Sequence, residues 1–172
     1  MIYNWRILEE CKLGLKKIRW QATVRLHQSF AEFYLAWGYR FLGNYYLVIT
    51  TTGRKSGLPR HVPVGYVKVG EYIYTITRAI PLLSNWLRNV RQNPQVNLNL
   101  GGKSLKATGE ILENPDQVRQ VIRLFLKCRP GYSRFLGVDL DSSEEELERA
   151  ARRWQAVRFQ LDSPKKPSKA KN

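Results

Sequence analysis

The stretch Thr50-Thr51-Thr52-Gly53-Arg54-Lys55-Ser56-Gly57, with Arg60 shortly after it, concentrates residue types that handle anions. Its hydroxyls, guanidinium and ammonium suit phosphate or carboxylate oxygens, and its glycines let backbone N–H groups turn toward a ligand. The order is not that of a P-loop, whose Gly-Lys-Ser/Thr end opens a helix; here Leu58-Pro59 leads into a strand-like run. A solvated basic hairpin has the same composition, so composition alone leaves both readings open. His61 adjoins the loop, either as a ligand contact or as a structural strand histidine. Tyr132 is a phenol that suits a proton donor, a substrate wall or a packed aromatic. Cys128 sits beside Arg129 but has no base partner in sequence, and reads as a structural thiol. The acids from Glu144 to Glu148 read as a helix start rather than a catalytic carboxylate pair. Cys11, Cys128, His27 and His61 form no recognised ligand spacing, so no metal is expected.

The chain that must position these groups has 172 residues, 29 of them basic against 14 acidic, a net charge of +15. The excess is concentrated in residues 45–112, which hold nine basic and two acidic residues. Such a segment attracts anionic ligands, although a solvated basic surface has the same charge. A hydrophobic content of 43% is too high for a disordered basic tail and sufficient for a single core. No apolar run is long enough for a transmembrane helix, and the start, MIYNWRILEECK, lacks the pattern of a signal peptide. The expected compartment is the cytoplasm.

Periodicity divides the chain into three parts: amphipathic helices over 1–44, a β-rich unit over 45–161 and a disordered basic tail over 162–172. Leu8, Cys11, Leu15 and Ile18 recur at helical steps opposite Lys12, Lys16 and Arg19. Phe30, Phe33, Trp37 and Phe41 form an aromatic stripe in a second helix over 24–42, expected to pack on the core of its own domain. Basic and aromatic faces also suit peripheral contact with a membrane. Strands are expected over 45–50, 60–69 and 72–77, with Pro63 marking an edge or a bulge. A short helix follows over 82–92. Strands over 95–100 and 103–112 are joined by a Gly101-Gly102 hairpin turn. Asn114-Pro115 opens a helix, Pro130-Gly131 ends it, and Ser142/Glu145 with Ser143/Glu146 give two overlapping capping boxes. A last strand spans 156–161. No βαβ repetition is visible, so the fold class is α+β with a mainly β core: a six-stranded, mostly antiparallel barrel with flanking helices.

LVITTTGRKSGLPRHVPVGYV, followed by a strand and NWLRNVRQNPQVNLNLGG, resembles the deazaflavin-dependent nitroreductase family. That family has a split β-barrel related to flavin-binding oxidases of pyridoxine phosphate. The resemblance covers about residues 45–112 and implies binding of coenzyme F-420, an 8-hydroxy-5-deazaflavin with a phosphate and an oligoglutamate tail. Carried over, Arg54, Lys55, Ser56 and Arg60 would hold the anionic groups. His61, Val62, Pro63, Val64, Gly65 and Tyr66 would line the ring. Ile76, Thr77 and Arg78, with Trp86, Leu87, Arg88 and Asn89, would complete the pocket. The implied activity is hydride transfer from the reduced cofactor to a quinone-like, enone or nitroaromatic acceptor, with Tyr132 and Thr77 as hydroxyls that polarise the acceptor or donate a proton. Gly65 and Leu87 stand where nitroimidazole-reducing members place tyrosines, which favours a quinone-like acceptor over a nitroimidazole, and the aromatic helix over 24–42 would then roof the substrate side. Two alternatives remain: an FMN-dependent reductase on the same barrel, and a non-catalytic module for flavin, haem or acidic lipid. A nucleic-acid partner is not expected, and the oligomeric state is open.

Overall fold

A computed structural model describes residues 29–42, 45–78 and 85–162. The helix expected over 1–20 and all but the first residue of the basic tail lie outside the described residues. Six strands form a closed barrel in the order β1-β2-β3-β6-β5-β4, every pairing antiparallel. They are β1 (Tyr46–Thr52), β2 (Pro59–Val69), β3 (Tyr72–Arg78), β4 (Gln95–Leu100), β5 (Lys103–Leu112) and β6 (Trp154–Leu161). The β4–β5 turn requires positive φ at both central positions, which Gly101 and Gly102 supply at 56° and 82°.

Alternation along the strands sends one set of side chains inward. Leu47, Ile49, Ile73, Leu98, Val157 and Phe159 fill the barrel. The helix α2 (Asn85–Gln92) contributes Trp86, Leu87 and Val90 to that interior. A second core lies outside the barrel, where α3 (Pro115–Cys128), α4 (Ser133–Leu136) and α5 (Glu144–Ala151) cover β2, β3 and β6 through Val121, Phe125, Leu147, Val67, Ile76 and Trp154. Asn114 caps α3 through its side chain, which accepts from Asp116 N at 2.8 Å. Only one of the two expected capping boxes forms: Ser143 and Glu146 bond reciprocally, while Ser142 Oγ turns back to Asp139.

The helix over 29–42, α1, packs on β1 with the opposite face from the expected one. Ala31 and Tyr34 are buried against Val48. The Tyr34 hydroxyl donates to Tyr46 O at 2.7 Å. Phe33, Trp37 and Phe41 point outward and are 54%, 66% and 79% exposed. Apolar residues lie on both faces, so composition could not phase this helix. Residues Tyr34–Gly38 are also wound as a π-helix, and the wider turn shifts the facing of its flanks.

The β2–β3 ladder runs only from Val69↔Tyr72 to Tyr66↔Thr75. Beyond it β2 stays with β1, from Tyr46↔Gly65 to Thr52↔Pro59, and β3 stays with β6, from Ile76↔Ala156 to Arg78↔Trp154. The barrel wall therefore splits between the two strands. Pro63 lies on the split part of β2, opposite Val48. Lacking an N–H, it suits a position whose nitrogen faces the unpaired side.

Candidate active site

The split opens into a cavity of about 1020 Å³. It extends along β2 from Arg60 to Gly65, about 17 Å at ~3.3 Å per residue. At one end lie Gly53, Arg54, Lys55, Ser56 and Arg60; at the other lie Tyr46, Gly131, Tyr132 and Phe135. Between them the walls are His61 to Gly65 of β2, Ile76, Thr77 and Arg78 of β3, and Asn85, Trp86 and Asn89 of α2.

The basic end is a loop tied to itself and to α2. Gly53 N bonds Leu58 O, Ser56 N and Gly57 N bond Gly53 O, and Leu58 N bonds Ser56 Oγ. Arg54 N donates to Asn89 Oδ1 at 3.2 Å. These backbone donors are engaged within the protein, which corrects the expectation that glycines turn them toward a ligand. Anion contact falls to the side chains. The Arg54 guanidinium is braced at 3.4 Å by Asn85 Oδ1 and Asn89 Oδ1. Arg60 reaches Ser56 Oγ at 3.4 Å, and Lys55 is exposed. Buried Asn89 also donates to the buried Thr51 hydroxyl at 3.1 Å, so one amide fastens α2 to both β1 and the loop. Among the described residues, Arg54, Lys55, Arg60 and Arg78 form no ion pair, and no carboxylate lines the cavity. His61 Nδ1 lies 3.0 Å from Thr50 Oγ1, which orients the ring.

The far end is aromatic. Tyr132, in a short 3-10 turn (Pro130–Tyr132), is clasped by Phe125 and Phe135, with ring centroids at 5.0 and 5.9 Å. Phe135 continues the stack to Trp154, over which Arg78 lies. Burial raises the Tyr132 phenol above its ordinary value, nearby Arg129 partly opposing, so it carries its proton at neutral pH. The Tyr132 hydroxyl makes no hydrogen bond to any described residue.

Of the residues singled out from sequence, Arg54, Lys55, Ser56, Arg60, His61, Val62, Pro63, Val64, Gly65, Ile76, Thr77, Arg78, Trp86, Asn89 and Tyr132 meet around this cavity. Tyr66, Leu87 and Arg88 do not line it. Tyr66 is inside the barrel, its ring under Arg129; Leu87 is buried in the same core; and Arg88 is exposed on the outer side of α2. The expected aromatic roof from α1 is absent from the lining, and of its stripe Phe30 packs edge-on to Tyr46. Tyr46 and Asn85 were not anticipated. Asn85 stands one helical turn before Asn89, a spacing that could have flagged it.

A family model described as F420H(2)-dependent quinone reductase matches residues 23–137. The chain belongs to this family. It is therefore an oxidoreductase that uses coenzyme F-420. Among solved structures, it is similar to a candidate 5-nitroimidazole antibiotic resistance protein from Bacteroides thetaiotaomicron, at 14% identity over 72% of this chain and 76% of that one, with a TM-score of 0.54. It is also similar to a protein related to general stress protein 26, of the pyridoxinephosphate oxidase family, from Clostridium acetobutylicum, at 13% identity over 76% and 84%, with a TM-score of 0.50. These likenesses establish the split-barrel fold alone. No curated protein matches significantly. The cavity suits the quinone reductase family's cofactor: four cations with no neutralising acid meet a polyanion, and the apolar walls of Val62, Val64 and Ile76 suit a flat ring.

Proposed function

We propose that this F-420-dependent enzyme reduces a quinone or a similar flat, carbonyl-bearing acceptor at the aromatic end of the cavity. Arg54, Lys55, Ser56 and Arg60 bind the phosphate and tail of the cofactor. Val62 to Gly65 and Ile76 to Arg78 flank its ring, and Trp86 and Asn89 brace that end from α2. Bound and reduced, the cofactor supplies a hydride. Tyr132 holds a proton at Oη and donates a hydrogen bond to the acceptor oxygen, stabilising the charge that grows there; Thr77 offers a second hydroxyl. A hydride and a proton together convert the quinone to its hydroquinone. The supporting observation is a cavity with no carboxylate among its described lining residues, with Arg54, Lys55 and Arg60 at one end and a protonated phenol at the other, in a chain of this family.

The exposed Phe33, Trp37 and Phe41 give this reading a location. They lie on the helix whose Phe30 touches cavity-lining Tyr46, beside a basic N-terminal sequence. A peripheral membrane contact there brings the cavity close to a lipid-soluble acceptor.

The test mixes enzyme anaerobically with reduced coenzyme F-420 and either menadione or a bicyclic nitroimidazole, following recovery of the oxidised cofactor's absorbance. Faster turnover of menadione is expected. Faster turnover of the nitroimidazole would overturn the assignment of the acceptor end.

A further inference from the structure

Gly65 lies in β2 opposite Tyr46, and its φ is not among the positive ones. It sits in ordinary strand conformation, so its backbone does not demand glycine. Space does: an ideal Cβ built there falls 1.7 Å from Tyr132 Oη and 2.9 Å from Tyr132 Cζ. The ring cannot easily be elsewhere, because Phe125 and Phe135 hold it from either side. The Tyr132 hydroxyl thus takes the volume that a side chain on β2 would occupy. There it borders the cavity with no hydrogen bond to a described residue.

We propose that Gly65 is a positioning residue: by leaving that volume empty, it lets the Tyr132 hydroxyl pass over β2 to the cavity, where it hydrogen-bonds the acceptor oxygen. Any side chain at 65 and the hydroxyl at 132 compete for one place. The inference rests on the reading that the acceptor occupies this end of the cavity.

Four proteins decide it: wild type, Gly65→Ala, Tyr132→Phe and the double variant. Each is measured for Tm without cofactor, for coenzyme F-420 affinity by fluorescence, and for menadione kcat and KM. Gly65→Ala should lower Tm and cut kcat/KM by about tenfold or more, as a displaced hydroxyl loses its bond to the acceptor. A small shift of the clasped Tyr132 ring relieves the overlap at a cost in packing, so this variant should still fold with a lower Tm. In the Tyr132→Phe background the oxygen is gone and only the ring-carbon contact at 2.9 Å remains, so Gly65→Ala should cost less in Tm than in the wild-type background and nothing further in kcat/KM. Equal costs of Gly65→Ala in both backgrounds would overturn the competition. Wild-type kcat/KM in Tyr132→Phe would overturn the acceptor role of the hydroxyl. Absence of menadione turnover by a wild type that binds cofactor would instead refute the functional reading, while the Tm comparison still judges the Gly65–Tyr132 contact.

Discussion

Replacing Asn89 with leucine keeps the volume of the side chain and removes its amide. Three contacts go with it: from Arg54 N at 3.2 Å, from the Arg54 guanidinium at 3.4 Å, and to Thr51 Oγ1 at 3.1 Å. Thr51 is 1% exposed, so its hydroxyl would be left buried without a partner. Arg54 is half-buried, and water can reach part of what it loses. With an orphaned buried polar group worth ~1–3 kcal/mol, Asn89→Leu should destabilise by about 2–3 kcal/mol. For a chain of this size, at ~2–4 °C per kcal/mol, Tm should fall by roughly 4–12 °C. Loosening the bracing of Arg54 should also weaken coenzyme F-420 binding, by about fivefold for ~1 kcal/mol of lost preorganisation. Adding Thr51→Val removes the orphaned hydroxyl, so the double variant should recover part of the lost stability. Circular dichroism melting and cofactor fluorescence titration measure both effects. An unchanged Tm together with unchanged affinity in Asn89→Leu would refute the claim that this amide organises the basic loop.

Other outcomes follow from the same geometry. Arg60→Ala and Lys55→Ala should each weaken cofactor binding by about tenfold at low salt, and less at high salt because both groups are exposed; titration at two ionic strengths checks this. Burial raises the phenols of Tyr34, Tyr66 and Tyr132 above 10.0. Their protons are held more tightly folded than unfolded, so their stabilising contribution is full below that value and is lost as pH rises through the folded ones. Urea unfolding from neutral to alkaline pH should show this decline, and Tyr132→Phe should make it shallower. The 172-residue protein should sediment with anionic vesicles more than with neutral ones, and Trp37→Ala/Phe41→Ala should reduce the difference. Equal sedimentation of variant and wild type would remove α1 from that contact.

The barrel was legible because its signals are local. Strict alternation over 95–100 and the two glycines that follow fix the β4–β5 hairpin, and Asn114-Pro115 and Ser143/Glu146 mark helix starts whatever the tertiary context. The basic end of the cavity was legible for the same reason, since Arg54, Lys55, Ser56 and Arg60 come from one loop and the strand it opens. What escaped depends on distance in space. Leu87 and Arg88 are sequence neighbours of Trp86 and Asn89, yet helical rotation carries one into the core and the other to solvent. The facing of α1 turns on a π-helical segment that residue spacing does not announce. Tyr132 was recognised, but its approach to Gly65 joins residues from α3's far end and β2 that only the folded barrel brings together.

The central claim is that the split between β2 and β3 holds the cofactor lengthwise, with its anionic groups on the β1–β2 loop and its ring toward Gly65 and Tyr132. A crystal structure of the protein with coenzyme F-420 tests this most directly. The account requires the phosphate and tail within hydrogen-bond reach of Arg54, Lys55 or Arg60, and the ring between Val62–Gly65 and Ile76–Arg78 with one face open toward Tyr132. A cofactor bound outside the split, or inside it with its tail at the Tyr132 end, would contradict it.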